Sequence, residues 1–175
     1  HGNFMFAHND MVLNNPKLPV SISHFYRPDF TGTTYGLGWK LSTAQKLEVL
    51  QNHDIYAVYT DSQGKRHYFT KDSEGNITDD EGLGLTFVHG CDYDCGNESL
   101  YFILDRQGNQ MRFDANGRLT KMMNANGGVS YLSYIGGNLS AVLDSEGHMF
   151  RFLYENGKLH QMVNPSGDIL LFTYT

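Results

Sequence analysis

The sequence is poor in charge, in cysteine and in long apolar stretches, and each shortage excludes a class of protein. Only 18% of the 175 residues are charged, and 13 basic against 19 acidic side chains give a net charge of −6. A chain with this balance lacks the basic stripe that a nucleic-acid groove needs. No run of about 18 apolar residues is present to span a membrane. Two cysteines are too few for a disulfide framework.

Motifs of the common enzyme classes are missing as well. The sequence contains no H-E-x-x-H pair, no G-x-S-x-G elbow, no P-loop and no G-x-G-x-x-G after a predicted strand. The two short G-x-G segments, at residues 36–38 and 82–84, are more typical of bends than of a nucleotide site. We therefore predict no catalytic residue, no enzymatic activity and no cofactor.

Glycine, asparagine and aromatic residues are abundant instead. The chain has 19 Gly, 14 Asn, 11 Phe and 11 Tyr. Aromatic side chains favour strands, and Gly and Asn favour the tight turns between strands. At this length the chain can bury a core without help from disulfides or metals. The composition predicts a turn-rich, all-β fold.

A repeat with steps of 19 or 20 residues runs through the second half of the chain. Its units start at residues 105, 124, 144 and 164, and each opens with Asp/Asn-x-x-Gly. An Asp or Asn caps the backbone of a type I turn, and the closing Gly takes a positive φ. A two-residue turn follows in three units, and these pairs favour type I′ hairpins: Asn116-Gly117, Gly136-Gly137 and Asn156-Gly157. The two alternating turns predict an antiparallel meander.

The spacing of side chains after the first turn predicts one buried face. Positions three, five and seven residues past its Gly lie on the same side of a strand. These positions hold Met111, Phe113, Ser130, Leu132, Tyr134, Phe150, Phe152, Tyr154, Leu170, Phe172 and Tyr174, with Ala115 as the exception. In the return strands, Leu119, Leu139 and Leu159 are each followed by an apolar residue three positions later, which requires a β-bulge. We interpret the aromatic residues of this face as core.

The first hundred residues continue this pattern less regularly. Asp-x-x-Gly turns recur at 61–64, 72–75 and 79–82. Residues 17–27 alternate, with Val20, Ile22 and His24 on one side. Residues 41–51 have helix propensity, but the strands predicted around them favour a strand there. Since no Pro- or Ser-rich linker is present, we predict one continuous β assembly, with a first segment at 1–104 and repeats at 105–175.

The repeat resembles the YD repeat of the Rhs family, whose motif is roughly G-x-x-x-x-Y-D-x-x-G-R-L. GNQMRFDANGRL (108–119) has every fixed residue of the motif except the Tyr, which is Phe113 here. The segments 129–139 and 150–159 match less well, because they lack the Asp and their turn is one residue shorter. The start of the chain resembles the segment that precedes such repeats, in Gly2-Asn3-Phe4 with Asp10, in Leu18-Pro19-Val20 with His24-Phe25-Tyr26, and in Gly36-Leu37-Gly38-Trp39.

This resemblance implies a structural role. In Rhs, teneurin-like and wall-associated proteins the repeats wind into a hollow β-shell, and some members enclose a C-terminal toxin. We expect a non-catalytic segment of a large secreted or cell-surface protein of bacteria, whose partner is the remainder of the parent chain with further repeats. The first and last residues also predict a piece of a longer chain. Such a piece exposes strand edges, so we predict a dimer or aggregate formed through residues 169–175.

Residues 89–98 are the stretch that fits the repeat least. His89, Cys91 and Cys95 are possible zinc ligands, although C-x₃-C is not a common finger spacing. Asp92 and Asp94 are possible calcium ligands, although the full calcium-loop pattern is absent. A Cys91–Cys95 disulfide and an inert polar loop are the alternatives without an ion, and the sequence leaves all of these open.

A carbohydrate-binding or adhesion module is the alternative to a purely structural segment. Trp39 and Tyr131 are the candidate residues, because aromatic faces stack on sugar rings without needing charge. Cell-surface glycans are the partner that this alternative implies.

Overall fold

The computed structural model describes residues 5–13, 15–50, 55–90 and 101–174. In these residues the protein is all-β, with antiparallel strands in hairpin order, which confirms the predicted fold class. The strands are β1 (Phe6–Leu13), β2 (Val20–Tyr26), β3 (Trp39–Leu41), β4 (Lys46–Val49), β5 (Ala57–Thr60), β6 (Arg66–Lys71), β7 (Ile77–Asp79), β8 (Thr86–His89), β9 (Tyr101–Leu104), β10 (Gln110–Phe113), β11 (Leu119–Met123), β12 (Val129–Ile135), β13 (Asn138–Asp144), β14 (Met149–Glu155), β15 (Lys158–Val163) and β16 (Ile169–Leu171). None of the residues so described belongs to a helix long and apolar enough to cross a membrane.

The chain forms two compact units. The first combines residues 1–43 with residues 130–175, and the second consists of residues 44–129. This division reflects spatial packing. The division into a first segment at 1–104 and repeats at 105–175 reflects the sequence pattern and stays a prediction.

The first unit contains two antiparallel arrangements. Strands β1, β2 and β3 form one sheet, and β12 to β16 form a meander. The core draws on Val20, Ile22, Leu41, Leu132, Leu139, Val142, Phe150, Phe152, Leu159 and Met162, all of them buried. A buried hydrogen bond of 2.7 Å, from Asn15 Nδ2 to Asp144 Oδ2, joins the N-terminal segment to the meander.

The second unit also consists of two meanders, β4 to β7 and β8 to β11. Its core contains Leu47, Ala57, Val58, Tyr59, Phe69, Phe87, Ile103, Phe113 and Leu119. Residues Lys46–Val49 are strand β4, so the preference for a strand over a helix in this region is confirmed.

The predicted Asx-x-x-Gly turns are confirmed. In the turns that start at Asp61, Asp72, Asp105, Asn124, Asp144 and Asn164, the N–H of the Gly donates to the carbonyl of the Asp or Asn. The side-chain Oδ1 of the Asp or Asn also accepts from the backbone N–H four residues later. Each Gly has a positive φ, which explains why glycine stands at that position.

The prediction of a two-residue turn at Asn116-Gly117 was wrong. This hairpin starts at Asp114, whose carbonyl accepts from Gly117 N–H, and only Gly117 of the pair has a positive φ. The Asp114 carboxylate accepts from the N–H groups of Asn116 and Arg118, so it caps the longer turn. The other two turns are confirmed, with positive φ at Gly136, Gly137, Asn156 and Gly157.

The predicted bulges and the buried face are confirmed. Each return strand has one extra residue at a shift in the pairing register: Thr120 in β11, Ser140 in β13 and His160 in β15. The extra residue lets Leu159 and Met162, three apart, both point into the core. The opposite face is open to solvent, with Leu153 48%, Ile169 59% and Leu171 61% exposed.

Candidate functional site

The structure places the two residues predicted to bind glycans, Trp39 and Tyr131, on different surfaces. Trp39 lines a cleft of about 700 Å³ in the first unit. Tyr131 does not line this cleft; it lies on the open face of β12 and is 45% exposed. The two candidates for glycan stacking therefore do not form one surface.

The candidate metal site lies almost entirely outside the described residues. Cys91, Asp92, Asp94 and Cys95 all lie there, so their disulfide and metal alternatives stay predictions. His89 is exposed at the end of β8, and its ring stacks on Tyr101 with 5.0 Å between ring centroids.

Two bends position Trp39 in the cleft. Gly36 and Gly38 have φ values of 97° and 82°, and Trp39 N–H donates to the carbonyl of Gly36 at 3.0 Å. A Cβ on Gly38 would lie 2.5 Å from the ring of Tyr26, so the loop requires glycine there. Tyr26 and Phe6 in turn contact the indole, with ring centroids 5.3 and 6.0 Å away. The G-x-G segment therefore marks bends, as we predicted, and those bends hold an aromatic side chain.

A β-bulge positions the acidic residue of the cleft. In the pairing of β1 with β2, Asn9 faces Ser23 and Met11 faces Ile22, which leaves Asp10 as the extra residue. The Asp10 side chain is 4% exposed and lies between two imidazoles. His24 Nδ1 lies 2.5 Å from Oδ2, and His8 Nδ1 lies 3.0 Å from Oδ1. One carboxylate therefore orients both rings.

The Asp10 carboxylate also fixes which nitrogen of each imidazole carries the proton. An ionised carboxylate only accepts hydrogen bonds, so Nδ1 of each ring carries the proton. In a neutral ring this leaves Nε2 as an acceptor. His24 Nε2 is buried and has no hydrogen-bond partner among the described residues. A buried acceptor left in this way is costly and calls for an explanation.

Aromatic rings form the rest of the cleft. Phe172 packs on His24 with ring centroids 4.9 Å apart, and Trp39 meets the same imidazole edge-on at 6.0 Å. Tyr174 donates its hydroxyl to the carbonyl of Leu159 at 2.7 Å. Burial raises the pKa of Tyr35 and of Tyr174 above the usual value, so both phenols stay neutral at physiological pH. The cleft thus combines an apolar surface with a few fixed polar groups.

A second cluster contains side chains of the kind that bind metal ions, but their positions follow from the hydrogen bonds of the turn in which they lie. Carboxylate and imidazole atoms of Asp144, Glu146 and His148 lie within 4.8 Å of one another. Asp144 Oδ2 already accepts from Asn15 and from His148 Nδ1, and Oδ1 accepts from two backbone N–H groups. The carboxylate is fully used by the fold, so we assign the cluster a structural role.

The sequence pointed to Trp39 as a site residue, whereas Asp10 and His24 stood only as motif residues of the N-terminal resemblance and had no assigned role. The available signal for His24 was its place on the buried side of an alternating strand, where an imidazole needs a partner. For Asp10 the signal was its place in the N-terminal motif, which did not reveal its position between two imidazoles because the bulge and its pairing with β2 depend on the fold.

Comparison with protein families gives a match to the start of the chain. Residues 1–69 match a family described as a domain of unknown function (DUF6531). No curated protein matches the chain. Asp10, His24 and Trp39 lie within the matched residues, whereas Lys158 and Phe172 of the same cleft lie beyond them.

Proposed function

We propose that the chain is a non-catalytic structural segment of a larger, secreted or cell-surface YD-repeat shell. The observation that carries this proposal is the repeated hairpin with its recurring hydrogen bonds at each Asx-x-x-Gly turn. Stacked units of this kind stabilise one another through nearest-neighbour contacts, so that a chain of them serves as a scaffold.

The open end of the meander supports the same role. Strand β16 pairs with β15 on one side, and no described strand pairs with its other side. A further hairpin would add to this edge in the same antiparallel register. Enclosure of a C-terminal toxin is the function that the resemblance to Rhs proteins suggests for such a shell.

The sequence of the parent gene tests the proposal directly. We expect further units of about 20 residues after Thr175, each with Asp/Asn-x-x-Gly. A stop codon directly after Thr175 would contradict the shell.

A protein with added repeats tests it independently. A copy of residues 156–163, which completes the unit that starts at 164, would be fused after Thr175 and followed by two copies of residues 144–163. Thermal unfolding would be followed by circular dichroism. We expect a higher unfolding midpoint, because each unit adds a nearest-neighbour interface. The control fusion carries the same residues in scrambled order, and an equal midpoint in both fusions would count against the proposal.

A carbohydrate-binding role is the second candidate, and the position of Trp39 in the cleft favours it. It requires a site that combines an aromatic platform with fixed hydrogen-bonding groups. The two roles are compatible, because the scaffold depends on the turns and the binding role depends on the cleft.

A further inference from the structure

We propose that the cleft of the first unit binds a neutral saccharide, with one sugar face on Trp39 and sugar hydroxyls donating to the imidazoles held by Asp10. This inference rests on the carbohydrate-binding candidate and gives it a site and a recognition chemistry. It does not depend on the scaffold role, whose Asx-x-x-Gly turns use other residues.

The polar side of the cleft is built to accept hydrogen bonds. The Asp10 carboxylate accepts hydrogen bonds from Nδ1–H of His8 and of His24, at 3.0 and 2.5 Å, which leaves Nε2 of each neutral ring as an acceptor. The His8 side chain is 63% exposed, so its acceptor is open to a ligand. His24 Nε2 is buried without a partner among the described residues, beneath the rings of Trp39 and Phe172, and a sugar hydroxyl that displaces one of these rings would satisfy it. Hydroxyl groups are the donors that a sugar supplies in the largest number.

The apolar side of the cleft has the features of a sugar platform. Trp39 is half-buried, and Phe6 and Leu37 beside it are 48% and 73% exposed. A pyranose ring has one face of C–H groups that covers an indole while its hydroxyls point to the rim. The volume of about 700 Å³ lies within the range of small-molecule sites.

The charges of the cleft favour a neutral ligand over an anionic one. The buried Asp10 carboxylate and the imidazole acceptors would repel a carboxylate or phosphate. Among the described residues that line the cleft, Lys158 supplies the positive charge, and its Nζ lies 5.0 Å from the centre of the Tyr174 ring. Because its ammonium already lies over this aromatic ring, Lys158 is not directed at a ligand anion.

Intrinsic fluorescence provides a direct test, because Trp39 is the single tryptophan of the chain. The protein would be titrated with methyl glycosides of glucose, galactose, mannose and N-acetylglucosamine, with their soluble oligomers, and with glucuronate as the anionic arm. We expect a saturable change in Trp39 emission with at least one neutral sugar. Tighter binding of oligomers than of the monosaccharide would indicate that the ligand is part of a polysaccharide. Equal affinity for oligomers and monosaccharide would indicate that the ligand is a free sugar. Both outcomes support saccharide binding in the cleft.

Two variants and one control test the recognition chemistry. In Asp10→Asn the amide NH2 donates to Nδ1 of one imidazole, whose Nε2 then carries the proton and no longer accepts, while the amide oxygen still accepts from the other ring. Because one of the two acceptors is lost, we expect binding to be at least tenfold weaker. His8→Leu removes the exposed acceptor without a buried change, and we expect a several-fold loss. Tyr131→Ala removes an exposed aromatic residue outside the cleft and should leave the affinity unchanged.

Several results would overturn the proposal. They are no saturable change with any neutral sugar, binding of glucuronate alone, or unchanged affinity in both His8→Leu and Asp10→Asn. Thermal unfolding of each variant shows whether it is folded. If Asp10→Asn does not fold, the affinity of His8→Leu alone tests the proposal. Failure here would leave the repeat-extension result untouched, so the two proposals are decided separately.

Discussion

The Asp144 carboxylate of the first unit accepts hydrogen bonds from two side chains and two backbone N–H groups. It is buried, and it accepts from Asn15 Nδ2 at 2.7 Å, from His148 Nδ1 at 2.9 Å and from two backbone N–H groups of its own turn. Burial alone would raise the pKa of this carboxyl, but the hydrogen bonds outweigh it and lower the pKa to about 2. The fold therefore depends on Asp144 in its ionised form.

This dependence predicts a specific loss of stability in acid. The folded pKa lies below the unfolded one, so the contribution of Asp144 is complete above pH 4 and disappears as the pH falls through about 2. We expect Asp144→Asn to lower the free energy of unfolding by about 2 kcal/mol at pH 7. Urea unfolding at several pH values would show the difference from wild type shrinking towards pH 2.

The turn itself provides the reason to choose asparagine for this test. Asn occupies the same turn position at residues 124 and 164, where its Oδ1 accepts the same backbone N–H, so the turn is retained. Asp80→Asn, at an exposed carboxylate, is the matched control and should leave the pH profile unchanged. A difference for Asp144→Asn that stayed constant down to pH 2 would contradict the assignment.

At the scale of the elements, the hairpin turns explain most of the strand order. An Asp or Asn at the first turn position caps the backbone, and a Gly at the fourth accepts the positive φ. The hairpin at 114–117 shows which of two sequence features decides the length of the turn. Asn116-Gly117 favours a two-residue turn, but the Asp114 side chain offers two further hydrogen bonds, and the longer turn forms.

The Gly117 turn also contacts a neighbouring strand, and this predicts a large effect of one methyl group. Leu47 N–H donates to Gly117 carbonyl at 2.9 Å, and a Cβ on Gly117 would lie 1.8 Å from the Leu47 carbonyl oxygen. We expect Gly117→Ala to destabilise the protein by about 3 kcal/mol, from backbone strain together with the clash. Chemical denaturation would measure this value.

Gly127 supplies the matched control for that substitution. It closes the same kind of turn at φ 80°, against 73° for Gly117, but a Cβ there would meet nothing within 4 Å. Gly127→Ala therefore carries the backbone strain alone, about 1–2 kcal/mol. Equal losses in the two variants would show that the contact between Gly117 and Leu47 adds nothing.

At the scale of the whole molecule, the terminal strand β16 is the feature with consequences for assembly. Phe172 N–H donates inward to the His160 carbonyl, so alternation along the strand turns the N–H of Leu171 outward. Ile169 and Leu171 are also among the most exposed apolar side chains of the described chain. An exposed apolar edge of this kind favours pairing with a second strand.

We therefore expect the isolated chain to self-associate through β16. Light scattering with increasing concentration should show dimers or larger species. Leu171→Pro removes the outward N–H and should reduce association, while Leu171→Ala keeps this N–H and should retain most of it. A monomer at high concentration would contradict the prediction, and equal loss in both variants would indicate association through the side-chain face instead.

Much of the fold was predictable because its causes are local. The positions of Gly, Asp and Asn predicted the turns, and the unusual spacing of Leu159 and Met162 predicted the bulge at His160. The candidate site was predictable only at Trp39. Asp10 and His24 stand in the motifs at the start of the chain, but no local pattern indicated that their side chains meet.

The sequence by itself determined the all-β class, the hairpin turns, the bulged return strands and the side of each strand that is buried. These follow from φ preferences and from period-2 alternation, which act within a few residues. The tertiary structure decided which distant residues meet: it placed Asp10 between His8 and His24, beside Trp39 and Phe172. That choice depends on strand register and on packing between segments more than 100 residues apart, where local preferences have no influence.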